Sequence, residues 1–231
     1  MPWKPNLSDL VPLWLTFKLA GVTTLVLLIV GTPLAWWLAH TRTRIKPFVE
    51  AITALPLVLP PTVMGFYFLI LFSPAAPIGA WWVQITDTTL TFSFIGLVLA
   101  SVIYSLPFTV QPLQSAFELV GKEPLEAAAT LRASPFDRFF CVAVPLASRG
   151  FVTASMLTFA HTVGEFGIVL MVGGNIPGET RVVSIAVYEH VETLNYGAAH
   201  GLSAILVSFS FVILLAVYMT NKHLPILAQR Q

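Results

Sequence analysis

This sequence predicts an all-α, polytopic membrane fold, and three observations carry that reading. Hydrophobic residues fill 56% of the 231 positions and charged residues only 10%, where a soluble domain carries about 25% charged. Mean hydropathy is +0.82. Charge-free stretches at 51–86, 88–117 and 193–221 each exceed the ~20 residues a spanning helix needs. Twelve basic against eleven acidic residues leave a net charge of +1, which argues against the basic footprint of a nucleic-acid binder. Cys141 is the single cysteine, so it makes no internal disulfide and no structural zinc site, and it reads as a small packing residue.

Five spans are expected, at about 11–39, 51–72, 90–113, 144–172 and 199–220, forming one membrane domain over 11–220 with no soluble domain. The first apolar run far exceeds the ~7–15-residue core of a signal peptide and is expected to remain as a span. At 1.5 Å per residue it makes about 44 Å, against a hydrocarbon thickness of about 30 Å, and Pro33 after Gly31 is the expected bend. Lys18 near its start reads as a snorkelling side chain. The second span holds Leu55-Pro56-Leu57-Val58-Leu59-Pro60-Pro61, which cannot be one uninterrupted helix. A break at membrane depth and a helix starting with Pro61 in first position are both open, and both can hold.

Loop charge orients the spans. Arg42, Arg44 and Lys46 follow the first, Lys122, Arg132, Arg138 and Arg149 the third, and Lys222 and Arg230 the fifth. Lys4 and Arg181 fall on the other side, where Asp87 is the lone charge of the loop between the second and third spans. The bias predicts an N-terminus outside and a C-terminus in the cytoplasm.

The loop after the third span, 122–137, reads as two helices. Pro124 suits a first helical position and Ala127-Ala128-Ala129 are strong helix formers. Ser134 caps a second helix, with Pro135 first and Asp137 at the capping-box acid position. So short a helix is marginal in water, and its small alanine face suits either a protein partner or the lipid interface.

Glu126-Ala127-Ala128, three residues, position 132, nine residues, Val142, one residue, then Val144-Pro145 resembles the signature loop of ABC importer permeases. That loop reads Glu-Ala-Ala, three residues, Gly, nine residues, Ile, one residue, Leu-Pro. Arg132 stands where the family has glycine, so the turn geometry there is the point of departure. The resemblance implies the type I importer permease fold, with Glu126, Ala127, Ala128, Ala129, Arg132 and Pro145 docking into a cytoplasmic ATPase. The chain has no Gly-x4-Gly-Lys-Ser/Thr phosphate loop. It is expected to bind no cofactor and to catalyse no covalent step, while a partner ATPase dimer uses ATP and magnesium.

A second set of motifs narrows the resemblance. The 55–61 sequence, Gly164-Glu165-Phe166-Gly167 and Asn175-Ile176-Pro177-Gly178-Glu179-Thr180-Arg181 are similar to those of molybdate importer permeases. Sulfate and thiosulfate permeases share the Gly-Glu-Phe-Gly and Asn-Ile-Pro-Gly elements, and remain the alternative. The resemblance implies a homodimer in the inner membrane, served by an extracytoplasmic molybdate-binding protein and carrying molybdate or tungstate.

The residues themselves give further expectations. Glu165 is the one acid well inside a span, where a carboxylate costs about 2.5–3.5 kcal/mol on insertion scales, so it should face protein or water. His161, four residues earlier, shares its helical face. A proton relay, a structural pair or gate support, a pathway contact and a metal half-site are all open for the two. Gly164 and Gly167 suit a hinge or close helix packing, and Pro60, Pro61, His161, Gly164, Glu165 and Gly167 make up the expected pathway or gate. In the outer loop Arg181 either attracts an oxyanion, meets a delivery protein or is simply solvated, ahead of an amphipathic stretch at 182–191. An ion-coupled transporter is a remote alternative, since it needs coupling residues beyond Glu165.

Overall fold

The computed structural model describes residues 7–223, and Lys4 and Arg230 of the charge argument lie outside them. The described residues contain helices and no strands. In chain order these are α1 (Leu7–His40), α2 (Lys46–Ala54) with a 3-10 turn (Leu55–Leu57), α3 (Pro61–Phe72), α4 (Pro77–Thr86), α5 (Phe94–Val120) and α6 (Glu123–Thr130). Then come α7 (Pro135–Asp137), a π-type segment (Arg138–Ala143), α8 (Val144–Leu146), α9 (Ser148–Val163), α10 (Gly167–Gly173), α11 (Val183–Glu192) and α12 (Tyr196–His223).

Among them, α1, α5 and the 196–215 part of α12 are each long and apolar enough to cross a membrane. Two bent pairs bring the candidate spans to five: Lys46–Leu57 with Pro61–Phe72, bent by 107°, and Pro135–Leu146 with Ser148–Val163, bent by 70°. Pro33 sits inside α1, which is one helix from Leu7 to His40; the Thr32 hydroxyl donates to Leu28 O at 2.5 Å, next to the carbonyl the proline leaves free. Two details of the expected spans change. The expected 144–172 span is two helices, with 164–166 between them and Val144–Leu146 belonging to the bent segment before it. Helix α4 forms where only a loop was expected, because Pro77 starts it and Gly79 lets it lie against the Ser73 carbonyl.

The core is a three-helix stack of α1, α5 and α9. Leu19 meets Leu97 toward one end, and Ala35 and Leu38 meet Leu113 and Phe117 toward the other, so α1 and α5 run the same way. Phe117 is fully buried and stands edge-on to Trp36 at 5.1 Å and to Phe151 at 5.9 Å. Lys46 pairs with Glu118 at 3.5 Å at this same end, which carries the Arg42, Arg44 and Arg132 loops. At the other end Leu13 joins Val183, Ala186 and Leu202, seating α11 and the start of α12 against α1. Gly150 of α9 lies so close to α5 that a Cβ there would overlap Ala116 Cβ.

Replacing Gly150 by Ala is therefore expected to cost about 1–3 kcal/mol by overpacking, read as a lower thermal midpoint of the detergent-solubilised protein.

Candidate functional site

Two interrupted helices meet at one place. The first interruption, after the 3-10 turn, ends at Pro60, which is extended (φ −56°, ψ 136°) and hands over to Pro61 at the start of α3. Both sequence readings of 55–61 hold: the backbone breaks, and Pro61 takes the first helical position, where its missing N–H is no loss. The second interruption lies between Val163 and Gly167. A Cβ on Gly167 would stand 2.8 Å from Pro61 Cβ, and one on Gly65 2.8 Å from Met171 Cβ, so α3 and α10 touch nearly backbone to backbone. Beside this contact a cavity of about 560 Å³ is lined by Pro61, Thr62, Tyr104, Ala160, His161, Gly164, Glu165, Phe166 and Gly167. It gathers five of the six residues expected at a pathway or gate, and Pro60, the sixth, precedes Pro61 in the chain.

Glu165 is 6% exposed. Its Oε2 accepts from Ser101 Oγ at 3.2 Å, while its Oε1 is buried with no protein hydrogen bond. The Glu165 carbonyl, which the break frees from helix pairing, accepts from Ser184 Oγ of α11 at 2.7 Å. His161 is not hydrogen-bonded to Glu165, contrary to the direct pair that their spacing suggested. Its Nδ1 lies 2.9 Å from Ser105 Oγ, and its ring stacks on Phe108 (3.9 Å) beside Tyr104 (4.8 Å). Each acidic or basic partner on the α9 side thus meets its own α5 serine, four residues apart on both sides of the contact. The ladder continues through Ser105–Thr162 at 3.1 Å and Thr109–Thr158 at 2.5 Å. Ser101, Ser105, Thr109 and Ser184 were not singled out from sequence, although the first three recur every four residues in the mostly apolar first part of α5, a readable signal.

The 173–182 loop is built for shape. Ile176 O accepts from the backbone N–H groups of Glu179, Thr180 and Arg181 at 3.1–3.2 Å, around Gly178 at φ +82°. Thr180 Oγ1 donates to Gly173 O at 2.6 Å. Arg181 is neither free nor simply solvated: its Nη2 pairs with Glu189 Oε2 of α11 at 2.7 Å, and Asn175 Nδ2 donates to the same oxygen at 2.7 Å. Asn175, Pro177, Gly178, Glu179 and Arg181 are absent from the cavity lining.

The 122–137 loop keeps its expected form with one shift, Pro124 being second rather than first in α6. Leu125 packs on the Phe117 cluster, leaving Glu126, Ala127 and Ala129 exposed. Arg132 has φ +63°, the left-handed conformation that glycine favours. Ala133 N donates to Ala128 O (3.1 Å) and Arg132 N to Ala129 O (3.0 Å), the paired bonds that close a helix with a left-handed residue after it. The turn geometry is therefore the one a glycine would give, with an arginine in it. Ser134 Oγ accepts from Asp137 N, and Asp137 Oδ2 accepts from Ser134 N and Oγ (2.6 Å), completing the capping box. These bonds, the hydroxyl's first, hold the Asp137 carboxyl below its ordinary range. Pro145 is exposed in α8.

Two broken helices thus pack on each other beside a core of long apolar helices, with a short helix pair hung from one end. A family model described as "Binding-protein-dependent transport system inner membrane component" matches residues 31–224. The chain belongs to that family of multi-pass inner-membrane subunits, which work with ATPase and binding-protein partners. It is 57% identical over 214 residues (93% of this chain, 95% of the relative) to the molybdenum transport system permease protein ModB of Azotobacter vinelandii. It is 34% identical over 179 residues (78% of each chain) to ModB of Escherichia coli strain K12. The sulfate transport system permease protein CysT of Synechocystis is 33% identical over 207 residues, covering 90% of this chain and 72% of that one. In structure, a chain of the MetNI methionine ABC transporter, described in inward-facing conformations, superposes with a TM-score of 0.71 at 17% identity, over 91% of this chain and 93% of that one. That likeness establishes the type I ABC importer permease fold.

Gly167→Ala is expected to destabilise the protein by about 1–3 kcal/mol, because Pro61 cannot give way. Gly164→Ala, in helical φ with nothing nearer than 3.5 Å, is expected to be neutral or to stabilise by ~0.4–1 kcal/mol, and thermal midpoints of the two variants separate the roles. Arg132→Gly relieves a left-handed cost of about 1–2 kcal/mol, and slower amide exchange over 128–133 is the expected result.

Proposed function

We propose that this chain is the membrane pathway subunit of an ATP-driven importer of molybdate, with tungstate, a dianion of nearly the same size and charge, as a second cargo. The observation that carries the reading is the 57% identity to the Azotobacter ModB over nearly the whole of both chains. The sulfate permeases at 31–33% identity support the broader oxyanion class. Two copies enclose one pathway, two ATPase subunits bind ATP and magnesium, and a molybdate-binding protein delivers the anion from the N-terminal side of the membrane.

In this reading α6 is the contact with the ATPase. Its Glu126-Ala127-Ala128-Ala129 face is small enough for close docking, and Leu125 and Phe139 fasten it to the Phe117 and Trp36 cluster of α1 and α5. A push on α6 is thus delivered to the helices that also hold Ser101, Ser105 and the broken segment between α9 and α10. Movement concentrates there, because the break lacks a continuous run of helical hydrogen bonds. The Asn175–Glu189–Arg181 cluster fixes the loop on which α11 rests and serves as scaffold on the delivery side.

The test is uptake of labelled molybdate into vesicles holding this chain, its ATPase and its binding protein. ATP-dependent accumulation that sulfate does not compete for is the expected outcome, with Glu126→Arg inserting normally and losing uptake by more than about tenfold through a reversed charge in the docking face. Equal competition by sulfate would move the assignment to the sulfate permeases, and uptake without ATP would overturn it.

A further inference from the structure

The hydroxyl chain behind His161 makes all of its hydrogen bonds at once in only one direction. Thr162 Oγ1 donates its one proton to the Thr158 carbonyl at 2.9 Å, since a carbonyl oxygen can only accept. Toward Ser105, 3.1 Å away, Thr162 Oγ1 is therefore the acceptor. The one Ser105 proton is thus directed to Thr162, and toward the imidazole at 2.9 Å Ser105 can only accept. Nδ1 must then carry the ring proton, and in the neutral ring Nε2 is a bare lone pair. Nε2 has no hydrogen bond to a described protein group, and the ring lines the cavity.

The cavity's own chemistry says what that nitrogen can do. Thr62 and Tyr104 bring neutral hydroxyls, Glu165 brings a buried carboxyl oxygen without a partner, and the other lining residues are apolar or glycine. Among them His161 is the side chain able to become a cation. An oxyanion facing bare Nε2 sets acceptor against acceptor. One solvent proton on Nε2 reverses this, giving an imidazolium that donates Nδ1–H to Ser105 and Nε2–H to the anion. The charged and titratable groups around the ring are few. Tyr104 faces it from α5, Glu165 lies at the break that follows α9, α3 supplies Thr62, α12 has no Asp, Glu, Lys or Arg before residue 222, and Lys18 of α1 sits over the Phe94 ring instead.

We propose that His161 Nε2 is the atom of this cavity that contacts the passing oxyanion, taking up a proton from solvent as the anion arrives and returning it as the anion leaves, with the Ser105–Thr162–Thr158 chain fixing proton uptake on the cavity side. The proposal rests on the oxyanion-import reading above. It is tested on the full chain, labelled with [15N]histidine and assembled with its unlabelled ATPase in lipid, with His161→Gln used to assign the signal. The expected 15N spectrum without substrate is a neutral ring protonated at Nδ1. With binding protein, molybdate and a non-hydrolysable ATP analogue it becomes an imidazolium, and Ser105→Ala loses the single tautomer. In uptake assays His161→Gln is expected to run about tenfold slower, the loss of one charge-assisted hydrogen bond, and to lose the wild-type dependence on pH. A resting ring protonated at Nε2, a ring still neutral with molybdate bound, or a His161→Gln variant with wild-type rate and pH profile overturns the proposal. Wild-type complexes that import no molybdate overturn the import reading instead, and the resting tautomer in the same sample still decides the direction of the Ser105–Thr162–Thr158 chain.

Discussion

Everything near the cavity depends on one constraint: backbone polar groups freed by a helix break inside an apolar protein must find partners within that protein. Two of the helix breaks, at Pro60-Pro61 and at Gly164–Phe166, are set against each other. Each solves part of the other's problem. Proline at the start of α3 removes a donor that would go unpaired, and Gly167 lets that proline sit where a side chain would otherwise be. The carbonyl freed at Glu165 is taken by Ser184. The junction is thus held by side-chain hydrogen bonds and close packing in place of a continuous run of helical hydrogen bonds.

The same contact explains why glycine is unevenly needed. Gly65, Gly150 and Gly167 each mark a close approach to another helix, while Gly164 marks a helix end whose φ of −83° any residue can adopt. Two glycines that look equivalent on either side of Glu165 thus do different work. Arg132 is the converse case, a non-glycine residue in left-handed backbone. The paired Schellman bonds around it and the capping box two residues on hold the turn from both sides, so the strain is borne by its neighbours' hydrogen bonds rather than relieved by its own side chain.

Much of this was legible in the sequence, and the division has a physical cause. Features fixed by neighbours along the chain could be read: the proline break, the Ser134–Asp137 box, the short alanine helix, and Glu165 as a carboxyl needing shelter. Features fixed by partners far away in the chain could not. Arg181 looked available until Glu189 and Asn175 closed on it. His161 and Glu165 looked like a pair because both lie on one face, but α5 offers each its own serine at the same four-residue spacing. Pro33 could be placed in the first span, but the contact that brings the neighbouring Gly31 against Thr109 of α5 could not. Local rules set what a residue can do, and long-range pairing decided which option it took.

The α5–α9 contact carries that argument one step further. A helix pair buried in an apolar core gains most from aliphatic packing, and unpaired hydroxyls there are costly. Here the polar groups are stacked in register instead, so that Thr109, Ser105 and Ser101 meet Thr158, His161 with Thr162, and Glu165 in turn. Each hydroxyl has a partner, and the ladder ends at the one carboxyl oxygen that lacks one, beside the cavity. A one-residue slip of α9 along α5 would leave several buried polar atoms unpaired at once, so the ladder fixes the register of the two helices. The polar side chains His161 and Glu165 that line the cavity are therefore also members of the ladder that holds two of its walls in register.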